Sequence, residues 1–436
     1  MEEKVLILGY GITGKASASS LLELGKKVYI YDEKLEEEEI LANNKNLKVL
    51  KELDNLEDFS YCIKSPGIKP SNPIVKKIKE KVEIISDLEL AYRLYPKRKI
   101  ISITGTNGKT TTSTLVNEIL LNAGYKSHLV GNIGIGMLPY FISGSDSDIY
   151  VIESSSFQLE DTSKFKPNIA SIINITPDHN DWHGSFEAYR DAKLKVTKNQ
   201  TEEDFLIIND DDKILHEVQT KANLVRTSKG RKLSKGIFVS GENIVKDSED
   251  NVIMKTCEIK LLGKHNLENV LIAIAIADSL SVPFECIRNT VKTFKGVEHR
   301  IEFVREVQGV KFYNDSKGTN VDATINAIKA FDSDIYLILG GYDKFVSFED
   351  LFNAFESRVK MIAVFGQTKE KILDQAKKSG FTNIISVSDL EEAVDVLFDK
   401  AKDGSNILLS PACASWDMYP NYETRGRHFK EIVNNL

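Results

Sequence analysis

The stretch "SITGTNGKTTT", residues 102–112, follows an apolar run that starts at Lys99 and leads into a glycine-rich turn closed by Lys109 and Thr110. A strand, a glycine turn and a helix opening on Lys-Thr form a phosphate cradle. Backbone N–H groups of the turn and of the first helical turn converge on an anion, the lysine adds a point charge, and the threonine hydroxyl reaches a magnesium ion. The common spacing G-x-x-x-x-G-K-[ST] would place a glycine at position 103, which is Ile. The loop is therefore expected to be tighter than the common one. Beyond it, Leu115, Val116, Ile119, Leu120 and Ala123 share one helical face, and Gly124 predicts the helix end.

Working outward, strand-like runs alternate with amphipathic helical stretches along all 436 residues, which predicts α/β domains with largely parallel sheets. At roughly 150 residues per domain the length suggests three. Residues 1–95 open on "KVLILGYGITG" and "KVYIYD", and the proline-bearing "YPKRK" (95–99) marks the first boundary. Residues 96–296 hold the quoted loop and the strands "DIYVIE" and "NIASIINI". Residues 297–436 contain "VKFYNDSKGTN", "DIYLILGGYDK", "KMIAVFGQT", "NIISVSD" and "NILLSPACAS", each a strand running into a polar loop. Ligands sit at the carboxyl ends of strands in such sheets, so these loops are where the chemistry is expected. The acidic "LEEEEI" (35–40) is expected to be a solvated helix face.

A net charge of −7 argues against nucleic acid as a partner, since a phosphate backbone requires a basic surface. Cys62, Cys257, Cys286 and Cys413 form no C-x-x-C pair, which fits a reducing compartment and no cysteine zinc site. The start "MEEK" lacks the basic character of a signal peptide, and the longest apolar run, Val270–Ala277, is too short to span a membrane. A cytoplasmic enzyme is the expectation.

Three further features suggest chemistry. Glu153 ends a strand, where a metal carboxylate belongs in these folds, although a solvent-facing glutamate is an equal alternative for the residue alone. His179 and His183 stand four apart, but Pro177 and Gly184 flank them, so a loop with at most one metal ligand is expected rather than a zinc pair. The N-terminal "GYGITG" (Gly9, Gly11, Gly14), with Asp32 ending the next strand, taken alone suggests an NAD-dependent oxidoreductase. The glycines let a helix N-terminus approach any diphosphate, however.

"GTNGKTT", "ESSSFQL", "NITPDHND", "GKHNLENV", "HRIEFV", "NDSKGTN", "GGYDK" and "LLSPACASWDMYPNYETRG" resemble, in order and spacing, the motifs of the Mur ligases. That family's loop also lacks the outer glycine. The resemblance covers all three blocks. It implies a Rossmann-like UDP-substrate domain, a central P-loop ATPase domain and a C-terminal Rossmann-like domain, in a monomer whose third domain closes over the second. The length and C-terminal stretch most resemble the member that adds D-glutamate to UDP-N-acetylmuramoyl-L-alanine, using ATP and an acyl phosphate, for peptidoglycan. Folylpolyglutamate synthase shares the loop but lacks a UDP-reading domain, and a non-ligase nucleotide switch is the other rival.

By the family pattern, Gly105, Thr106, Asn107, Gly108, Lys109, Thr110 and Thr111 hold phosphates. Asn266, Asn269, Arg300, Asp315 and Lys317 complete the ATP site, though "HNLENV" also reads as a helix cap. Thr110, Glu153 and His179 serve two Mg²⁺ ions together with Lys193, matched to a lysine carbamylated by CO₂. An unmodified ammonium about 5 Å from Mg²⁺ would be repelled by about 7 kcal/mol at an effective dielectric near 20. The alternative for Lys193 is a surface lysine paired with Asp191. The UDP moiety is assigned to Gly11, Ile12, Thr13, Gly14, Asp32, Ser65, Pro66, Gly67 and Asn132. D-glutamate is assigned to Lys317, Thr319, Lys344, Ser415 and Tyr422, where cations and hydroxyls suit two carboxylates. Phe345 stands where the family often has Gly, and Tyr422 where Phe is common.

Overall fold

The computed structural model describes residues 3–33, 35, 44–132, 136–261, 263–344 and 346–436. The acidic run at 35–40, save Leu35, and Phe345 lie outside the described residues. The described residues build three sheets. The first contains β1 (Lys4–Leu8), β2 (Lys27–Tyr31), β3 (Leu47–Val49), β4 (Tyr61–Lys64) and β5 (Ile84–Ile85) in the order β3-β2-β1-β4-β5. All its pairs are parallel. Because β1 sits between β2 and β4, the chain leaves it in opposite directions, and a crevice opens at its carboxyl end, beside "GYGITG".

The second sheet runs from β6 (Lys99–Thr104), β7 (Ser127–Gly131), β8 (Ile149–Glu153) and β9 (Ile169–Ile172) through β10 (Phe205–Asn209), β11 (Asn223–Ser228), β12 (Ile237–Ser240), β13 (Asn243–Lys246) and β14 (Val252–Lys255). Its order is β14-β13-β12-β11-β10-β9-β6-β8-β7. Only the meander β12-β13-β14 is antiparallel, an extension that sequence periodicity did not single out. Here β6 is the switch point, flanked by β8 and β9. The register Ile103↔Glu153 and Thr104↔Ile172 brings both neighbouring strand ends level with the glycine loop.

The third sheet holds β15 (Glu302–Val307), β16 (Val310–Asn314), β17 (Ile335–Gly340), β18 (Val359–Phe365), β19 (Ile384–Ser386) and β20 (Asn406–Leu409), ordered β15-β16-β20-β17-β18-β19. The last strand in sequence inserts between β16 and β17, parallel to both. That insertion gathers three loops more than twenty residues apart at one end of the sheet.

The chain forms two compact units, residues 1–259 with 267–292, and residues 260–266 with 293–436. Within the first, the two sheets contribute to one apolar core that includes Val5, Ile7 and Leu88 with Ile152, Phe165 and Ile172. The "YPKRK" stretch is packed: the buried Arg98 donates to Asp146 and to the carbonyls of Phe141 and Gly144. The buried Glu89 accepts the backbone N–H groups of Ser163, Lys164 and Phe165, and Asp87 accepts from the amide of Gln158. Nearly every strand residue of β8 and β20 is buried, as expected for parallel strands covered on both faces.

Candidate functional site

The glycine loop runs from Gly105 to Gly108, and the helix Lys109–Asn122 starts directly behind it. Gly108 caps that helix at φ 85°, a left-handed conformation that glycine adopts without steric cost. A Cβ there would also lie 2.1 Å from Oδ1 of Asn269. Asn269 is therefore packed directly on the loop, and the helix-cap alternative for it falls away. The loop is pinned from β9: Asn174 accepts the Thr106 N–H at its carbonyl and the Asn107 N–H at its side chain. Thr106 Oγ1 accepts from the Tyr189 hydroxyl and donates to the Thr176 carbonyl. Sequence reasoning missed Asn174, Thr176 and Tyr189 as loop supports. The signal was their place in "NITPDHND" and beside Lys193.

Two lysines converge on this loop. Lys109 Nζ donates to the carbonyls of Gly105 and Thr106, each at 2.9 Å, and Lys193 Nζ donates to the Gly105 carbonyl at 2.8 Å. Lys193 is only 1% exposed, which overturns the surface-lysine alternative, and Asp191 pairs with Arg190 instead. Its ammonium lies 4.6 Å from the centre of the Tyr189 ring. Burial pushes its pKa well below the usual lysine value and the Lys109 charge pushes the same way, against the carboxylates of Asp178 and Glu153. A neutral amine is the form that can react with CO₂.

Glu153 is 3% exposed, so the solvent-facing alternative does not hold. Asn132 donates to its Oε1 at 3.0 Å, while Oε2 is buried without a hydrogen-bond partner. Asn132, which the resemblance implies for the UDP moiety, thus also touches this carboxylate. A buried carboxylate oxygen without a donor is costly and calls for a cation. Thr110 and Thr111 are buried at the start of the adjacent helix. A carboxylate and a hydroxyl are hard oxygen donors, so these residues fit Mg²⁺.

The segment with the two histidines is a single helical turn, Asn180–His183, rather than a loop, because His179 and Gly184 both adopt left-handed conformations that begin and end it. His179 is exposed beside Asp178, whereas His183 bonds Ser156 and stacks on Phe157. Burial pushes His183 down to about 4, so it is neutral at physiological pH. The two side chains take different partners, His183 on Ser156 and His179 beside Asp178.

At the carboxyl end of β1, the helix Ile12–Glu23 begins with Gly11 as its cap, which has no side chain to bond the first N–H groups. A Cβ on Gly14 would sit 2.1 Å from the Gly9 carbonyl, so only glycine permits this approach of helix to strand. Asp32 accepts the Tyr10 N–H at 2.7 Å, and Ser65 donates to the Gly9 carbonyl at 3.0 Å. Gly11, Ile12 and Gly67 are exposed around this crevice, with Thr13 and Pro66 half-buried.

In the second unit, Asp315 follows β16 and is buried. It accepts the Ser410 hydroxyl at 2.6 Å and the Ile301 N–H at 3.2 Å. Burial pushes its carboxyl up to about 7, opposed by Ser410 and the Arg300 charge. Lys317 lies 5.9 Å from the Tyr422 ring, and Lys344 donates to the Thr319 carbonyl. The Ser415 hydroxyl is buried without a partner. The loops after β16, β17 and β20 that bear these residues meet at one end of the sheet, and Asn266 lies at the start of the helix Lys264–Ser279. What that reading missed is Arg425. Wholly buried, it donates to the Ser316 hydroxyl and carbonyl and to the carbonyls of Cys413 and Ala414, holding two of the loops in register. The exposed Trp416 also stacks near Lys344.

Among the described residues, the one group of three or more His, Cys, Asp or Glu side chains close enough to share an ion is Glu298, His299 and Glu302. Lys430 already bridges both glutamates, at 2.6 and 3.0 Å, so a protein cation fills that role.

Residues 103–277 match the Mur ligase middle domain, and residues 299–413 match the Mur ligase glutamate ligase domain. The chain is 43% identical to UDP-N-acetylmuramoylalanine–D-glutamate ligase of Alkaliphilus oremlandii, covering 100% of this chain and 99% of that one. It is 44% identical to the enzyme of the same name from Thermoanaerobacter pseudethanolicus, covering 100% and 98%. Its fold is similar to that of the UDP-N-acetylmuramate–alanine ligase MurC of Thermotoga maritima, with a TM-score of 0.62, 21% identity and 99% of each chain covered. It is also similar to that of a MurF ligase from Thermotoga maritima in complex with ADP, with a TM-score of 0.60, 16% identity, and 100% and 96% covered. With relatives above 40% identity along its whole length and both domain models matched in order, the chain belongs to the Mur ligase family.

Proposed function

We propose that the chain joins the amine of D-glutamate to the carboxylate of UDP-N-acetylmuramoyl-L-alanine at the expense of ATP, through an acyl phosphate, in peptidoglycan precursor synthesis. The observation that carries the chemistry is the pair of lysines on the Gly105 carbonyl beside the unpartnered oxygen of Glu153. The full-length relatives carry the substrates.

A carboxylate is a poor electrophile at neutral pH, and phosphorylation gives it a good leaving group. Two anions must meet in that step. Lys109 Nζ rests on the Gly105 and Thr106 carbonyls; released from them, it would offset the repulsion at a phosphate held by the loop N–H groups. Thr110 and Glu153 would hold one Mg²⁺, and Glu153, His179 and Lys193 as its carbamate would serve a second. The ions supply charge neutralisation on the phosphates. Adenosine is assigned to Asn266, Asn269, Arg300, Asp315 and Lys317. The glutamate carboxylates are assigned to Lys317, Thr319, Lys344, Tyr422 and the unpartnered Ser415 hydroxyl, and the UDP moiety to the crevice at the end of β1.

Three domains, 1–95, 96–296 and 297–436, acting in a cytoplasmic monomer, complete this reading. Phosphate release measured with and without each substrate tests it. Release should require D-glutamate and the UDP-sugar together. ATP hydrolysis indifferent to both would indicate a nucleotide switch, and tight NADH binding without UDP-sugar binding would indicate an oxidoreductase.

A further inference from the structure

We infer that Lys64, which belongs to none of the motifs above, is a positioning residue for the UDP-sugar substrate, because its buried ammonium ties the turn Ser65–Ile68 to Asp161 and Trp182. The inference rests on the reading that the β1 crevice holds the UDP moiety.

Lys64 is the last residue of β4, level with Leu8 of β1, and its side chain is wholly excluded from solvent. Four groups replace the water its charge would otherwise hold. Nζ donates to the Ile68 carbonyl at 2.9 Å and reaches the Ser65 carbonyl at 3.5 Å. It pairs with Asp161 Oδ2 at 3.0 Å and lies 5.2 Å from the Trp182 ring centre. An ammonium is a compact point charge with three donors, so it can satisfy carbonyls, a carboxylate and a π-face in different directions at once.

The connections run both ways. Ser65 and Ile68 are the two ends of the turn, itself closed by the Ile68 N–H on the Ser65 carbonyl, and the Ser65 hydroxyl secures that turn to the Gly9 carbonyl. Asp161 caps the helix Ser156–Glu160, which begins three residues after Glu153. Trp182 lies in the helical turn that follows His179, against Phe157 and His183. Its indole N–H is buried without an acceptor. One charge thus couples the wall of the diphosphate crevice to the segments that present Glu153 and His179.

Two variants of the full-length enzyme test this. Lys64→Met keeps the apolar stem and removes the charge. It should raise KM for UDP-N-acetylmuramoyl-L-alanine tenfold or more, with KM for ATP changed less than twofold and kcat at saturation less than threefold. The stranded Asp161 carboxylate should also lower Tm. Lys64→Met/Asp161→Asn removes that carboxylate, and should restore Tm while KM for the UDP-sugar stays raised. Recovery of KM together with Tm, or equal increases in both KM values, would reduce Lys64 to a structural role and overturn the inference. Wild-type enzyme that fails to bind the UDP-sugar would instead count against the assignment of the crevice.

Discussion

Asp315→Asn should make the second unit more stable at neutral pH and remove a pH dependence that the wild type carries. The Asp315 carboxyl is buried after β16, with Ser410 and Ile301 as donors and the Arg300 and Arg425 charges favouring its ionised form. Burial raises it from an ordinary 3.8 to about 7. A carboxyl whose folded pKa is raised contributes stability fully present below its unfolded value and lost as pH rises through the folded one. The window therefore runs from about pH 4 to about pH 7. Three pKa units at about 1.4 kcal/mol each give a loss on the order of 4 kcal/mol. Asparagine has no proton to lose, its amide oxygen can still accept the Ile301 N–H, and its amino group can donate to Ser410. Urea unfolding followed by Trp416 fluorescence in a Trp182→Phe background would report this unit alone, since these are the two tryptophans of the chain. From pH 4.5 to 7.5 the wild type should lose several kcal/mol more than Asp315→Asn, with unchanged m-values. Parallel pH profiles for the two proteins would refute the reasoning. They would mean that the bonds from Ser410 and Ile301 already stabilise the charged form fully. The same variant should bind ATP more weakly if the ionised carboxylate receives the ribose hydroxyls.

Gly108→Ala forces a left-handed alanine and a Cβ into the place of the Asn269 amide. KM for ATP should rise about tenfold or more, for a backbone cost of roughly 1–2 kcal/mol plus displacement of Asn269, and initial-rate kinetics against ATP would show it. Lys193→Ala should lower kcat by at least about 100-fold and regain activity with a small added carboxylate; full activity without one would exclude the carbamate. Ser415→Ala should raise KM for D-glutamate by about 10- to 150-fold while leaving KM for ATP unchanged, since a hydrogen bond to a charged group contributes about 1.5–3 kcal/mol.

Local sequence determined the elements that carry the chemistry. The loop at 105–108, the strand ending in Glu153 and the strand–loop runs of the third block each depend on residues a few positions apart. Glycine conformations, apolar runs and helix starts are short-range properties. The family resemblance then assigned roles to residues in several loops at once.

Three decisions belonged to the tertiary structure. Nothing in "RDAKLKV" distinguishes a surface lysine from a buried one, and Lys193 becomes a less basic amine because burial excludes water from it and the Lys109 charge repels its ammonium. Arg425 and Lys64 were not singled out by any sequence motif, but burial turns each into the tie between segments distant in sequence. Glu153 gains its unpartnered oxygen from how β7 and β8 bring Asn132 to one side of the carboxylate and leave the other without a donor. Burial and charge pairing are sums over neighbours that the chain supplies from far along its length. They take definite values only when the sheets are assembled.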